Sequence, residues 1–181
     1  TNTAVGYLAL TTFEADAQDH GENTAVGSKA GTAVTTGTAN TLIGKDSGLT
    51  LTTGDNNTVI GAKAADAMTT SNDNVAIGLN SIGQATTQTD RVVSIGSGAM
   101  GGGIGTADIT GLVAIGYEAL AGSLEATTDF TVAIGYQALK VLTSGGKNTA
   151  IGYQAGLETT IGDFNTYIGY QSGYRTANLN N

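Results

Sequence analysis

The chain has 181 residues and a formal net charge of −8, from 7 basic and 15 acidic residues. Because it contains no cysteine, disulfides, thiol catalysis and sulfur-ligated metal sites are excluded. The basic residues are scattered from Lys29 to Arg175, and no apolar run approaches the roughly 18 residues of a membrane span. We therefore expect neither nucleic-acid binding nor membrane insertion.

A nine-residue motif recurs along the chain. It reads Asn-Thr-Ala-Ile-Gly-Tyr-Gln-Ala-Gly at 148–156, and close variants occupy 165–173 and 2–10. Aligned on the central glycine, there are ten copies spaced 17 to 21 residues apart. Such a period indicates a solenoid, in which each repeat forms one coil and the coils stack. The motif glycines, which number coils 1 to 10, are Gly6, Gly27, Gly44, Gly61, Gly78, Gly96, Gly116, Gly135, Gly152 and Gly169.

The residues ahead of the motif glycine predict a strand. The residue directly before the glycine is Val or Ile in every copy, and the residue two places earlier is Thr or Val. A β-branched pair two residues apart lies on one face of a strand. We expect these aliphatic side chains to stack inside the solenoid, so that Ile134 is a core residue and Gln137 faces solvent.

Other columns of the repeat predict turns and tight packing. An invariant glycine indicates a positive φ or a close approach of another backbone. The third residue after it is always Ala or Ser, as a crowded corner requires. Asparagine four residues before the glycine, present in seven copies, predicts a repeated turn. Thr-Thr-Gly segments such as 35–37 predict a second short strand that ends in a turn. The copies without asparagine are consecutive and have Val92, Leu112 and Thr131.

Together these columns predict an all-β fold. Residues 1–181 form a single repeat domain, a parallel β-solenoid (β-roll or β-helix) of about ten coils with a period of about 17 residues. At about 4.8 Å per coil the solenoid is roughly 48 Å long. Each coil carries few apolar side chains, so burial within one chain barely offsets the entropy of ordering it. We expect an oligomer around a shared axis, packed in part through the tyrosines that follow five motif glycines: Tyr7, Tyr117, Tyr136, Tyr153 and Tyr170.

The motif at 148–156, with its Thr-Thr-Gly spacers, resembles repeats of phage tail fibres and bacterial surface proteins. Those repeats often precede a self-cleaving chaperone domain of the endosialidase type. The motif is also similar to the head repeats of trimeric autotransporter adhesins, which have shorter coils. The resemblance covers residues 2–173, although the period of 17 or more and the middle copies without asparagine depart from the pattern.

The resemblance implies a parallel β-roll or β-helix in an extracellular trimeric fibre, either a virion tail fibre or a bacterial surface adhesin. The implied role is structural and adhesive, without enzymatic activity. The implied partners are the chain itself, as a homotrimer, and a glycan or protein receptor on the host surface. Because Thr1 already lies within a repeat, we expect the chain to be a fragment of a longer fibre protein.

Two other function classes remain as alternatives. Ile-Gly-Tyr-Gln-Ala also fits the hexapeptide motif of β-helical acyltransferases, but those enzymes carry the motif three times per coil. The only histidine, His20, has acidic neighbours and no second histidine, so a general base or metal ligand is poorly supported. Ice binding would use outward threonines, but adjacent threonines point to opposite faces of a strand.

No cofactor is expected, and calcium is the alternative. The segments 55–57 and 72–74 are rich in Asp and Asn oxygens, but the glycine-aspartate nonapeptide of calcium-binding β-rolls is missing. Asx turns explain these segments as well. The glycine run at 101–105 is not followed by the Lys-Ser pair of a phosphate-binding loop.

The long spacings predict where recognition takes place. A solenoid accepts insertions only at its turns, so the extra residues after Gly6, Gly96 and Gly116 collect on one face. Phenylalanine beside acids in two of these insertions suits sugar binding, although such residues also cover coil edges. We predict a receptor contact through these loops that is repeated threefold. The candidate residues are Phe13, Glu14, Asp16, His20, Glu125, Asp129 and Phe130.

Overall fold

The computed structural model describes residues 1–14, 21–85, 88–104, 108–125 and 128–175. This part of the chain is all-β and forms a parallel β-solenoid, as the repeat predicted. Its strands are β1 (Thr3–Val5), β2 (Thr24–Val26), β3 (Thr41–Ile43), β4 (Thr58–Ile60), β5 (Val75–Ile77), β6 (Gln84–Ala85), β7 (Thr89–Asp90), β8 (Val93–Ile95), β9 (Gly103–Ile104), β10 (Ile109–Thr110), β11 (Val113–Ile115), β12 (Val132–Ile134), β13 (Thr149–Ile151) and β14 (Thr166–Ile168).

One ten-stranded parallel sheet runs the length of the solenoid, in the order β1-β2-β3-β4-β5-β8-β11-β12-β13-β14. Each strand precedes a motif glycine, and equivalent residues pair in register from coil to coil, as Ile43 does with Ile60. Of the second strand predicted for every coil, the described residues contain an isolated parallel bridge between Ser144 and Ile161, another between Ile104 and Leu124, and the short strand pairs β6-β9 and β7-β10. The two strand pairs lie in the coils with longer spacing.

The motif glycine satisfies both of its predicted requirements. Its φ lies between 118° and 141° in all ten coils, a region that side chains rarely enter. A Cβ on Gly44 would also lie 2.5 Å from the carbonyl oxygen of Gly61 in the next coil. Substitution is therefore opposed both by strain and by a backbone clash.

Besides the fourth residue after the motif glycine, such as Leu139 (φ 48°), two further positions of the coil are left-handed although most carry no glycine. They are the second residue after the motif glycine, such as Gln154 (φ 53°), and the fifth before it, such as Lys147 (φ 59°). The N–H of each donates to the coil before it: Gln154 to the Tyr136 carbonyl at 2.8 Å and Lys147 to the Asp129 carbonyl at 2.9 Å. Stacking between coils thus holds backbone conformations that the residue types do not favour.

The strand residues face the opposite way from the prediction. The middle residue of each strand points into the solenoid, and Leu42 and Val59 are fully buried. The β-branched residues on either side point outward, and Ile43 is 36% exposed. The prediction that the aliphatic column fills the core, with Ile134 as a core residue, is therefore wrong. The buried column consists mainly of small side chains: Ala25, Leu42, Val59, Ala76, Ser94, Ala114, Ala133 and Ala150.

The asparagines form a buried hydrogen-bonded column, the asparagine ladder. Asn40 Nδ2 donates to Asn23 Oδ1 at 3.0 Å and, across its own coil, to the Gly54 carbonyl at 2.8 Å. Asn57 repeats this arrangement and donates both its backbone N–H and its Nδ2 to Asn40 Oδ1 at 3.0 Å. The side chain thus pairs buried backbone groups at a corner, as predicted, while the left-handed residue is the one before it.

The middle coils replace this ladder with apolar packing. Val92, Leu112 and Thr131 occupy the asparagine position and are fully buried. Where the ladder resumes, the Asn148 N–H donates to Thr131 Oγ1 at 3.3 Å. The core therefore changes from polar to apolar and back within one continuous stack.

Candidate functional site: an outward sheet face and its borders

The ten-stranded sheet presents a regular outward surface, here called the sheet face. It consists of the first and third residues of the strands that precede the motif glycines, one column of Thr or Val and one of Val or Ile. Because the strands pair in register, like residues follow one another along the axis. A single chain leaves this face uncovered, and Ile151 in coil 9 is 38% exposed.

A row of tyrosines borders the sheet face on its glycine side. In coils 7 to 10 the residue after the motif glycine is tyrosine, and adjacent rings stack with centroids 5.1 to 5.3 Å apart. We call this column, in all coils, the tyrosine border. The stack covers the flat faces of the inner rings and leaves their edges in solvent. Its members are Tyr117, Tyr136, Tyr153 and Tyr170, which are 41% to 74% exposed.

An amide ladder lies beside the tyrosine border, one residue further on. Gln171 Nε2 donates to Gln154 Oε1 at 3.0 Å, and Gln154 Nε2 donates to Gln137 Oε1 at the same distance. The ladder ends at Glu118, whose Oε2 accepts from Gln137 Nε2 at 2.9 Å and pairs with Lys140 Nζ at 2.7 Å. The prediction that Gln137 points outward is consistent with this position, but its side-chain amide is hydrogen-bonded within the ladder.

The charge at the end of the amide ladder shifts two pKa values. Hydrogen bonds from Lys140 and then from Gln137 hold the pKa of Glu118 below its usual range. The Glu118 carboxylate in turn accepts a hydrogen bond from the Tyr117 hydroxyl, which raises the pKa of Tyr117. The ladder is therefore anchored by an ionised carboxylate at neutral pH.

The other border of the sheet face carries two exposed phenylalanines. The fifth residue before each motif glycine forms this column, here called the phenylalanine border. In coil 8 the Phe130 ring lies against Gly111 of coil 7, where a Cβ would meet the ring at 2.8 Å. In coil 9 Lys147 Nζ lies 5.0 Å from the centroid of Phe164 in coil 10. Phe130 and Phe164 are 58% and 59% exposed.

Exposed apolar side chains concentrate on this surface. Of the sixteen large hydrophobic residues that are exposed among the described residues, thirteen belong to the sheet face or to its two borders. Monomeric proteins rarely leave such a continuous apolar patch in solvent. The three that lie elsewhere are Leu8, Val141 and Ile161.

The described residues that flank the insertions lie at one corner of the solenoid. Residues just ahead of each insertion stack on the equivalent position of the next coil: Glu14 N–H donates to the Thr35 carbonyl at 2.9 Å, and Glu125 N–H to the Thr143 carbonyl at 2.8 Å. Gln84 pairs in the same way with Gly103. The insertions therefore share one position in the coil, next to the phenylalanine border.

The candidate receptor residues fall into two separate groups. Phe13 and Glu14 lie in coil 1, where Phe13 is partly buried against the end of the core and Glu14 is exposed. Glu125 lies six coils away and Asp129 and Phe130 lie seven coils away, roughly 29 to 34 Å along the axis at about 4.8 Å per coil. Asp16 and His20 lie outside the described residues.

Within the second group the side chains have different surroundings. Asp129 Oδ1 accepts from the Thr110 N–H at 2.8 Å, so one carboxylate oxygen ties two coils together. Glu125 is exposed, and Phe130 is the aromatic member of the group with an open ring face. Sequence reasoning did not single out Phe164 or Lys147. Both residues and Phe130 stand five places before a motif glycine, and this shared position could have been read from the repeat.

The acidic turns considered for calcium serve the backbone. Asp55 Oδ1 accepts from the Thr38 N–H at 2.7 Å, and Asn72 Oδ1 accepts from the Asp55 N–H at 2.9 Å. Among the described residues no three of His, Cys, Asp and Glu come close enough together to hold a metal ion. These contacts are the coil-to-coil equivalent of Asx turns.

Two adjoining depressions of about 290 and 300 Å³ lie over the glycine-rich segment. They share Asn80 and Gly101. Lys63 and Asp66 line the first, while Glu118 and Lys140 line the second. Burial raises the pKa of the Asp66 carboxyl. The glycines create this space by lacking side chains, and the charged groups around it are mixed in sign.

The fold and surface define a parallel β-solenoid repeat protein. Comparison with protein-family models, curated proteins and solved structures finds no match to this chain. Across the described ranges there is no helix of the length and hydrophobicity that a membrane crossing requires.

Proposed function

We propose that the chain is a structural and adhesive segment of an extracellular trimeric fibre, of the phage tail fibre or surface adhesin type. The observation that carries the proposal is the sheet face, an apolar surface that continues through all ten coils. A fibre shaft needs such a surface, because its chains must contact one another along their whole length.

The size of the sheet face supports self-association. Ten coils at about 4.8 Å, with a width of about 15 Å including the borders, give roughly 700 Å² per chain. Stable interfaces bury about 800 Å² per partner. The homotrimer itself follows from the resemblance of the motif to trimeric fibre repeats.

The trimer is tested by measuring mass in solution. Light scattering of the 18.0 kDa chain at micromolar concentration is expected to give three times that mass. Ile134→Lys places a charge on the sheet face and is expected to yield a smaller species. The matched control Glu158→Lys, at an exposed position away from the face, keeps the trimer. A folded monomer for the parent chain would overturn the proposal.

We place the receptor contact at the insertion corner, with a host-surface glycan or protein as ligand. The insertions share one position in the coil, so a trimer repeats them three times and weak single contacts gain avidity. Glu125 and Asp129 flank one insertion on the described part of the corner.

Trimming the insertions tests this placement. Removing 105–107, 126–127 and four of residues 15–20 brings these three coils to the 17-residue norm. The expected result is an unchanged melting temperature with loss of adsorption to host cells. A control that replaces the same residues with glycine and serine keeps the loop lengths and isolates the role of side chains. Undiminished adsorption of the trimmed chain would place recognition elsewhere.

The sheet face also favours a second candidate, ice binding. Its outward threonines and the aliphatic column form a regular array, because equivalent residues pair in register from coil to coil. This candidate requires the face to be uncovered. Inhibition of ice recrystallisation by a monomeric chain would favour it, whereas a trimer without that activity would exclude it.

A further inference from the structure

The two borders of the sheet face both become aromatic or cationic toward the last coils, the tyrosine border from coil 7 (Tyr117) and the phenylalanine border from coil 8 (Phe130), with Gly111 on the latter in coil 7. In coils 2 to 6 both are mostly small or polar, and in coils 8 to 10 both are aromatic or cationic. On the tyrosine border the two runs are Ser28, Lys45, Ala62, Leu79, Ser97 and then Tyr136, Tyr153, Tyr170. On the phenylalanine border they are Glu22, Ala39, Asn56, Asp73, Arg91 and then Phe130, Lys147, Phe164.

We propose that the tyrosine border of each chain packs against the phenylalanine border of the next chain around the fibre axis. This inference rests on the proposed trimer and specifies which side chains close it. Rotation about an axis parallel to the solenoid brings one border of a chain to the opposite border of its neighbour at the same coil, a heterologous contact that closes into a ring. Tyr136 then meets Phe130, Tyr153 meets Lys147, and Tyr170 meets Phe164.

The chemistry of these pairs is complementary. The stacked tyrosines present ring edges, and Phe130, supported from below by Gly111, presents an open ring face. Edge-to-face packing is a preferred arrangement of aromatic rings. Lys147 already lies beside Phe164, and its ammonium group would also reach a tyrosine of the next chain.

The antiparallel arrangement lacks this match. A twofold axis perpendicular to the solenoid sets each border against its own reversed copy. Tyr153 then faces Ser28, and Tyr136 faces Lys45. Three of the four stacked tyrosines would then meet small or strongly hydrated side chains and only Tyr170 would meet another tyrosine, Tyr7, so the borders favour parallel chains.

In this arrangement Phe130 belongs to the contact between chains, and receptor contact is left to the insertions. It also explains why both phenylalanines are more than half exposed in one chain. A residue that packs only against a neighbouring chain has no cover until that chain is present.

Crosslinking tests the contact, because the chain has no cysteine of its own. The double variant Lys147→Cys/Tyr153→Cys is treated with a short bismaleimide, since a direct disulfide needs Cα atoms within about 7 Å. Covalent dimers and trimers are expected on a denaturing gel. Each single variant alone should remain a monomer on the gel, while a co-refolded mixture of the two single variants gives covalent dimers.

The control pair Glu158→Cys/Tyr153→Cys keeps one border cysteine and moves the other to an exposed site off the face. It is expected to give no covalent trimer. If the 147/153 variant is a trimer by light scattering but does not crosslink, the border contact is overturned and the trimer stands. Crosslinking of Ser28→Cys/Tyr153→Cys in preference to the 147/153 pair would show antiparallel packing and also overturn it. A folded monomer overturns both proposals.

Discussion

At the scale of single residues, the asparagine ladder is the feature of the interior that most restricts which residue type can occupy a position. Asn57 Nδ2 donates to the Ser71 carbonyl at 2.8 Å, and its Oδ1 accepts from the Asn74 N–H at 3.1 Å. A buried donor or acceptor left without a partner costs about 1–3 kcal/mol. The repeat keeps asparagine because few side chains offer both groups at this distance from the backbone.

Replacing Asn57 with alanine is therefore expected to lower the free energy of unfolding by about 2–4 kcal/mol, since several buried groups lose their partners at once. Thr53→Ala, at an exposed position in the same repeat, is the control and should change it by less than about 0.5 kcal/mol. Urea unfolding followed by circular dichroism measures both. Equal shifts would show that the ladder contributes little to stability.

At the scale of the strands, the direction of a side chain determines how much its substitution lowers the free energy of unfolding. In β3 the fully buried Leu42 packs beside Gly31 and Gly48, whose added Cβ atoms would clash with it. Its neighbour Ile43 lies on the sheet face. The two residues differ little in size and hydrophobicity, so a comparison of the two isolates the effect of direction.

Leu42→Ala is expected to cost about 2–5 kcal/mol, because the rigid stack cannot close the cavity. Ile43→Ala is expected to cost clearly less in a dilute, dissociated chain, since its side chain is 36% exposed there. Thermal unfolding of the two variants at low concentration makes the comparison. A larger loss for Ile43→Ala would reverse the assigned faces.

The amide ladder gives a pH-dependent prediction. Because the pKa of Glu118 is lowered in the folded chain, its ionised form stabilises the fold above the usual glutamate pKa. That contribution is lost as the pH falls through the lowered value. Glu118→Gln is expected to cost at most about 1 kcal/mol at neutral pH, as for other surface pairs.

The difference between the parent and Glu118→Gln should shrink as the pH is lowered to about 3. Urea midpoints at several pH values measure it, with Glu158→Gln as a control outside the ladder. A difference that grows on acidification would contradict the assigned role of the Lys140 contact.

At the scale of the whole molecule, stability is expected to depend on concentration. If the sheet faces associate, binding of neighbouring chains to the folded chain stabilises the fold by mass action. The melting temperature should then rise with concentration in the parent chain. Phe164→Ala, which removes one border side chain, should weaken that dependence while leaving the melting temperature of the dilute chain nearly unchanged.

Differential scanning calorimetry over a hundredfold range of concentration tests this expectation. Thr53→Ala again serves as the control, because it lies outside the sheet face and both borders. A melting temperature that does not change with concentration in the parent chain would mean that the single chain carries all of the stability.

The sequence by itself determined the period, the parallel stacking, the short strands and the requirement for the motif glycine. These follow because equivalent residues of a solenoid share one environment, so each column of the repeat reports a local constraint. The five exposed tyrosines and the buried Ala/Ser column followed for the same reason. The predicted receptor residues remain a prediction, with Asp16 and His20 outside the described residues.

Only the tertiary structure decided which face of each strand is the inside. A spacing of two shows that Thr41 and Ile43 share a face, but it does not say whether that face meets the core or the solvent. The answer depended on contacts across the coil, such as those of Leu42 beside Gly31 and Gly48, which place the middle residue inside and leave the β-branched pair outward. Non-glycine residues in the left-handed region escaped prediction because stacking between coils, and not their own preference, holds them there. The sequence alone did not reveal the apolar surface of this protein, because a strand that buries its β-branched residues in a core would show the same residue pattern.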